Sequence, residues 1–248
     1  MFFTIIVFMF ALVMLAIEYL WPRSNFPKVK GWYPRAILIN LVGLSTVFIY
    51  GTGAQEWIQL HRLWDANSIG RYQSIIIGLM IVTFFNYWWH RLRHKLSFFW
   101  LWFHQIHHSA QRLEVITTFY KHPFEAVIDT IFTIPIVYLV AGLNTMSASI
   151  VLMIMGCIEL FYHWNIKTPQ WVGYFVQRPE SHCIHHQEGL HNYNFSDLPI
   201  WDITFGTFKN PKRFTKSCGL GKENEQRLKE MLKGVDVLEN RSSVPNYD

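Results

Sequence analysis

Cysteine is scarce in this chain of 248 residues: Cys157, Cys183 and Cys218 are odd in number and show no CxxC spacing. That argues against a disulfide framework and points to reduced thiols in a cytosolic environment. A GxGxxG run following a strand is also missing. Gly51-Thr52-Gly53 and Gly219-Leu220-Gly221 lack the third glycine, so no nucleotide-cofactor domain is built in. Charged residues make up only 16%, and although the net charge is +5, the cations are scattered among apolar runs. Such a distribution offers no solvated arm for nucleic acid. No repeat or low-complexity tract interrupts the chain. The first apolar run has no basic residues before it and no small-x-small cleavage site after it, so it is expected to stay as an anchor.

Apolar residues are abundant, at 51%, with 17% aromatic. Met1 to Trp21 carries Glu18 as its only charge, and has the length and composition of a helix that crosses about 30 Å of hydrocarbon. Four more candidate spans follow, Ala36 to Ala54, Tyr72 to Trp89, Phe124 to Gly142 and Met146 to Trp164. The expectation is an all-α, multi-span membrane bundle of four to five transmembrane helices, the fourth bent at Pro135. Arg23, Lys28, Lys30 and Arg35 all fall between the first two spans, so the positive-inside rule places that loop in the cytoplasm. Counting from there, the loop from Gly53 to Arg71 lies outside, His90 emerges on the cytoplasmic side, a hairpin turns around Asn144, and His163 returns. Every histidine but His61 then falls on one side of the membrane.

These histidines are clustered as His90-x3-His94, His104-x2-His107-His108 and His182-x2-His185-His186. Residues three and four apart share a helix face, so each cluster is expected to lean its imidazoles toward one side. Arg178-Pro179-Glu180-Ser181 predicts a helix start just before the last triplet. His163, at the end of the last span, is a ninth candidate ligand. One ion cannot use so many imidazoles; two ions with about four each, leaving open positions, fit the count. Imidazole suits iron, zinc, copper or nickel. Trp88, Trp89, Trp100 and Trp102 have the look of an interfacial belt, but a surface stripe has no need of the same HisxxHisHis spacing twice. His61 and His122 read as polar tips near headgroups. Glu159, four residues before His163, is placed to orient it; Glu125, Asp129 and Asp202 read as capping or structural groups.

At these residues the chain resembles the sterol desaturase and fatty acid hydroxylase superfamily of integral-membrane di-iron enzymes. The resembling elements are YWWHRLRH (87–94), WFHQIHHS (102–109), KHPFE (121–125), HWN (163–165), SHCIHH (181–186) and WDITFGTF (201–208), in the family's order over about residues 80–210. Residues 1–221 are expected to form one membrane domain with a cytoplasmic, histidine-rich helical cap, followed over 222–248 by a modest amphipathic helix, with Leu228, Met231, Leu232 and Val235 on one stripe, and a polar tail; the resemblance bears on the first of these. It implies two iron ions, with zinc as a possible substitute, on His90, His94, His104, His107, His108, His163, His182, His185 and His186, the eight clustered histidines being the catalytic set. The family's Asn-Tyr-Gly-like run stands here as Asn194-Phe195-Ser196, and His191 beside it is left outside the ligand set.

The implied activity is O2-dependent hydroxylation or desaturation of a lipid C–H bond, in a sterol, fatty acyl chain or related lipid, chemistry that needs an oxidant beyond any side chain. The histidines sit at the mouth of the apolar spans because a bilayer-borne lipid and a soluble electron donor meet there. With no flavin or haem domain in the chain, electrons are expected from a ferredoxin or b-type cytochrome and its reductase. The expected location is a bacterial inner membrane or, alternatively, the endoplasmic reticulum. A membrane zinc hydrolase would need a general base, as in HExxH, and no cluster has Glu after its first histidine. A non-enzymatic metal-binding membrane protein would carry ligands across the midplane, and these lie at one edge.

Overall fold

The computed structural model describes residues 2–51, 55–213 and 217–238. Among them the chain is helical throughout, with one isolated backbone bridge, Gln187 to Cys218, in place of any strand. The long helices are α1 (Phe2–Leu20) and α2 (Trp32–Gly51), then, after a short α3 (Gln55–Leu60), α4 (Arg71–Lys95). A compact turn of helix follows: α5 (Ser97–Phe99), a π-helical segment Trp100–His104, and α6 (Gln105–Ser109). Next come α7 (Pro123–Pro135), which runs into a second π segment Ile136–Val140, and α8 (Thr145–His163). Short helices complete the chain: α9 (Pro179–His185), α10 (Pro199–Thr204), α11 (Lys222–Glu225) and α12 (Leu228–Met231). α1, α4, α7 with its π segment, and α8 are long and apolar enough to cross a membrane.

α1 packs along α8, α4 along α8, and α2 along α7. The expected second span begins four residues early, at Trp32, and its residues 52–54 lie outside the described residues. Pro135 does not break its helix. Because proline removes a backbone donor, the ladder shifts register there, and Ala141 N–H reaches back five residues to Ile136 O at 2.8 Å. Glu18, the lone charge of α1, is buried and accepts from the backbone N–H groups of Val115 (3.1 Å) and Asn165 (2.8 Å). A carboxylate on a membrane helix needs such partners, and these tie α1 to the loop after α6 and to the end of α8.

The helix ends alternate as the sequence predicts. At one end Ser74, Ser147 and Asn67 bond together, Asn144 caps α8 through Ser147 N, and His61 stacks on Trp57. At the other, α4 and α8 deliver His90, His94 and His163 to the layer built by α6 and α9. Part of the basic loop that suggested topology also holds this layer together: Arg23 donates to Cys183 Sγ (3.0 Å) and Arg35 to Glu225 Oε1 (2.8 Å).

Two expectations need correction. Of the four tryptophans of the supposed belt, only Trp88 is exposed; Trp89 is buried and donates to Asp129 Oδ1 (2.8 Å), Trp100 packs on His94 and His108, and Trp102 packs beside His122 and Gly234. Clusters of aromatics beside histidines pack on those rings instead of forming a belt. The expected stripe Leu228, Met231, Leu232 and Val235 also fails at its last member. Gly234 adopts a left-handed φ of 69° against the Trp102 ring and ends the run, leaving Val235 exposed. Met231 is buried, and the Val235 carbonyl accepts from Gln105 Nε2 (2.9 Å).

Candidate metal centre

α4 carries His90 and His94 one turn apart, and the helix continues to Lys95, so both rings leave the bundle on one face. α9 begins as predicted, with Pro179 in its first turn and Glu180 beside it. Together with α6 and the end of α8, these helices gather nine imidazoles into two groups whose ligand-type atoms lie within 4.8 Å of one another: His90, His94, His104, His108 and His185; and His107, His163, His182 and His186.

The division crosses the triplets. Each sends its first and last histidine to one group and its middle one to the other, so the expectation that a triplet leans as a unit is corrected. Adjacent residues on a helix point about 100° apart, and the rings of His107 and His108 stand at 86°, those of His185 and His186 at 78°.

Tautomers follow from the partners of Nδ1. His90 donates to Phe195 O (2.7 Å), His104 to Glu125 Oε1 (2.7 Å), His107 to Tyr120 O (3.3 Å), His163 to Glu159 O (2.8 Å), His182 to Gln177 Oε1 (2.8 Å) and His185 to Tyr193 O (2.8 Å). A neutral imidazole that donates at Nδ1 has only a lone pair at Nε2. Yet these Nε2 atoms face one another: His90 and His104 at 3.0 Å, His107 and His163 at 3.3 Å, His163 and His182 at 3.1 Å. With no proton to share, such contacts are repulsive unless a cation lies between them. The buried Nε2 atoms of His94 and His185 have no hydrogen-bond partner among the described residues. Burial, with neighbouring histidines adding to it, pushes His108, His182 and His186 well below the ordinary histidine value, and burial does the same for His104, His107 and His185. The rings are thereby kept neutral, as ligation requires. The donor set fits two divalent cations.

The outer shell was only partly legible. Glu159 orients His163, but through its backbone carbonyl and not its carboxylate. Glu125 is no cap: its Oε1 takes both His104 and Arg93, while Arg93 also reaches Asp129 (3.5 Å), which holds Lys121 (3.0 Å). Gln177 was not anticipated. Its Nε2 donates to Asn194 O (3.0 Å) and Ser196 O (2.5 Å), which fixes Oε1 toward His182. The loop from Tyr193 to Ser196 therefore serves both groups, and Asp202 holds it by accepting from Phe195 N, Ser196 N and the hydroxyls of Ser196 and Thr207. Asn194 has the left-handed φ of 56° that this turn needs. Ser196 spends its hydroxyl on Asp202 and Leu198 O. His122 is a helix cap, accepting from Phe124 N at 3.0 Å. His191 stands behind the first group, its ring 4.7 Å from that of His108 and its Nδ1 on His185 O.

The model of the family described as fatty acid hydroxylase matches residues 75–207 of this chain. Among curated proteins, a sphingolipid C4-hydroxylase of Schizosaccharomyces pombe is 30% identical over 142 residues, 56% of this chain and 48% of that protein. An ornithine lipid hydroxylase of Rhizobium tropici is 33% identical over 180 residues, 69% of this chain and 53% of that protein. The chain thus spans about half the length of the curated relatives it matches. No solved structure gives a significant match.

Proposed function

Since the chain belongs to the fatty acid hydroxylase family, we propose that it is a membrane-bound oxidoreductase that hydroxylates a C–H bond of a lipid, using two iron ions, O2 and electrons from a separate donor protein. His90, His94, His104, His108 and His185 would hold one ion, and His107, His163, His182 and His186 the other. Iron in that setting supplies the O2-dependent oxidising power that no side chain has. The chain's own part is to keep the nine rings neutral and aimed. The carbonyls of Tyr120, Glu159, Tyr193 and Phe195, with Glu125 and Gln177, hold the Nδ1 protons of six of them and leave those ligating lone pairs free.

The single observation that carries this reading is the convergence of proton-free Nε2 atoms in two adjacent buried groups at the end of apolar helices. The same donor set suits zinc, and the redox reading draws its support from the two hydroxylase relatives. The basic loop between the first two helices supports a cytoplasmic face for the centre, where a soluble ferredoxin or b-type cytochrome arrives. The reading is tested by growing cells that express the chain under isotopically labelled O2 and analysing their lipids by mass spectrometry. The expected product is a lipid carrying one labelled hydroxyl, absent when His182→Ala is expressed. A product that has lost two hydrogens and gained no oxygen would make the chain a desaturase. Unchanged lipids, with iron and a reductase system supplied, would remove the reading.

A further inference from the structure

α10 lies outside the candidate spans, yet it packs deep against one of them. The Trp201 indole donates to Thr83 Oγ1 at 3.0 Å, and Thr83 is the thirteenth of the 25 residues of α4. Phe84 meets the ring of Trp201 at 5.1 Å, and Trp88 that of Phe205 at 4.9 Å. At 1.5 Å of rise per residue, Thr83 is about 10 Å further into the bundle than His90. A segment anchored at mid-span therefore sits within the depth of the hydrocarbon.

Its surface suits that depth. Ile200, Ile203 and Phe205 are exposed by 45%, 49% and 36%, and the adjoining turn Gln170–Tyr174 with Phe175 exposes Trp171, Tyr174 and Phe175. From Leu198 to Phe208 the one charged residue is Asp202, and it is buried. The exposed Thr204 hydroxyl turns back to Ile200 O at 2.7 Å. Backbone polar groups cannot be left to lipid, so non-spanning chain survives at membrane depth only where it satisfies itself. The Asp202 carboxylate does this for the approach to α10, taking the donors of Phe195, Ser196 and Thr207, and Phe205 N and Thr207 N close onto Trp201 O and Asp202 O.

We infer that α10 is a re-entrant element: with the Gln170–Tyr174 turn it enters the bilayer beside α4, and lipid chains cover its Ile200, Ile203 and Phe205 face. The inference rests on the membrane spans and is independent of the reaction at the histidines. It has a structural consequence, because the loop that aims His90, His182 and His185 is the stem of this element, which places the metal centre at the edge of the bilayer.

The test uses the full-length chain in phosphatidylcholine nanodiscs, with Cys157→Ala as background and a nitroxide attached through Ile203→Cys; Cys183 and Cys218 are buried. Ile76→Cys on the exposed face of α4 and Lys229→Cys on α12 serve as lipid and water references. Molecular oxygen should relax the Ile203 label as strongly as the Ile76 label, and several-fold more effectively than a water-soluble nickel chelate. Access of the chelate at the level of the Lys229 label would overturn the inference. So would exclusion of both reagents together with spin–spin broadening, which would assign the face to a second copy of the chain. Ile200→Cys reads the same face if the Ile203 variant does not fold.

Discussion

The two histidine groups are built from the same ligand type but differ in what stands behind the ligands. The group of five leans on one carboxylate: Glu125 accepts from His104 and is itself held by Arg93, while His90 and His185 are tied to backbone carbonyls. In the group of four, His107, His163 and His182 lean on neutral acceptors, the carbonyls of Tyr120 and Glu159 and the amide of Gln177. A carboxylate behind an imidazole raises its basicity as a ligand more than a carbonyl does. The two positions are therefore unequal, and the first group should hold its cation more tightly.

The sharpest way to break this picture is His104→Ala, since His104 Nε2 faces both His90 (3.0 Å) and His108 (3.2 Å). Product formation should fall by more than about 100-fold, beyond what outer-shell changes cost, and metal analysis should show one ion lost per chain. Loss of both ions would mean the groups do not bind separately. Next in size is Glu125→Gln, which should weaken the first group's metal by about 10- to 100-fold in a chelator titration and leave the second untouched. Gln177→Leu should act mainly on the second group, by about 10-fold, because it removes the neutral partner of His182, with a smaller effect on the first group through the 193–196 loop that the same amide holds. If Gln177→Leu outweighed Glu125→Gln, the proposed asymmetry would be reversed. Smallest in its effect on the metal is Glu18→Ala, which touches the amides of Val115 and Asn165 and no histidine of either group. It orphans two buried backbone donors, for which a loss of about 2 kcal/mol is expected, read as a lower thermal midpoint with metal content unchanged.

The helices and the ligand candidates were legible because they rest on local pattern. Apolar length marks the spans, and the repeated HisxxHisHis marks the imidazoles. The sharing of ligands between groups was less so: spacing shows which residues share a helix face, whereas the split between His107 and His108 depends on which helices face each. The outer shell was hidden for a related reason. Glu125 is 21 residues from His104, and Phe195 is 105 from His90, and a backbone carbonyl has no side-chain signature at all. Gln177 is a common residue with no spacing to mark it, and only the fold turns its amide toward His182. Asp202 stood in a recognisable motif, but its work of holding a loop required the loop to be seen.

The central claim, two adjacent cations of iron on nine neutral imidazoles, is tested most directly by Mössbauer spectroscopy of the protein purified from cells grown on enriched iron, before and after reduction and exposure to O2. The account predicts a coupled signal near two irons per chain that changes on contact with oxygen. Redox-silent metal, unresponsive to oxygen even after reconstitution with iron, would contradict it.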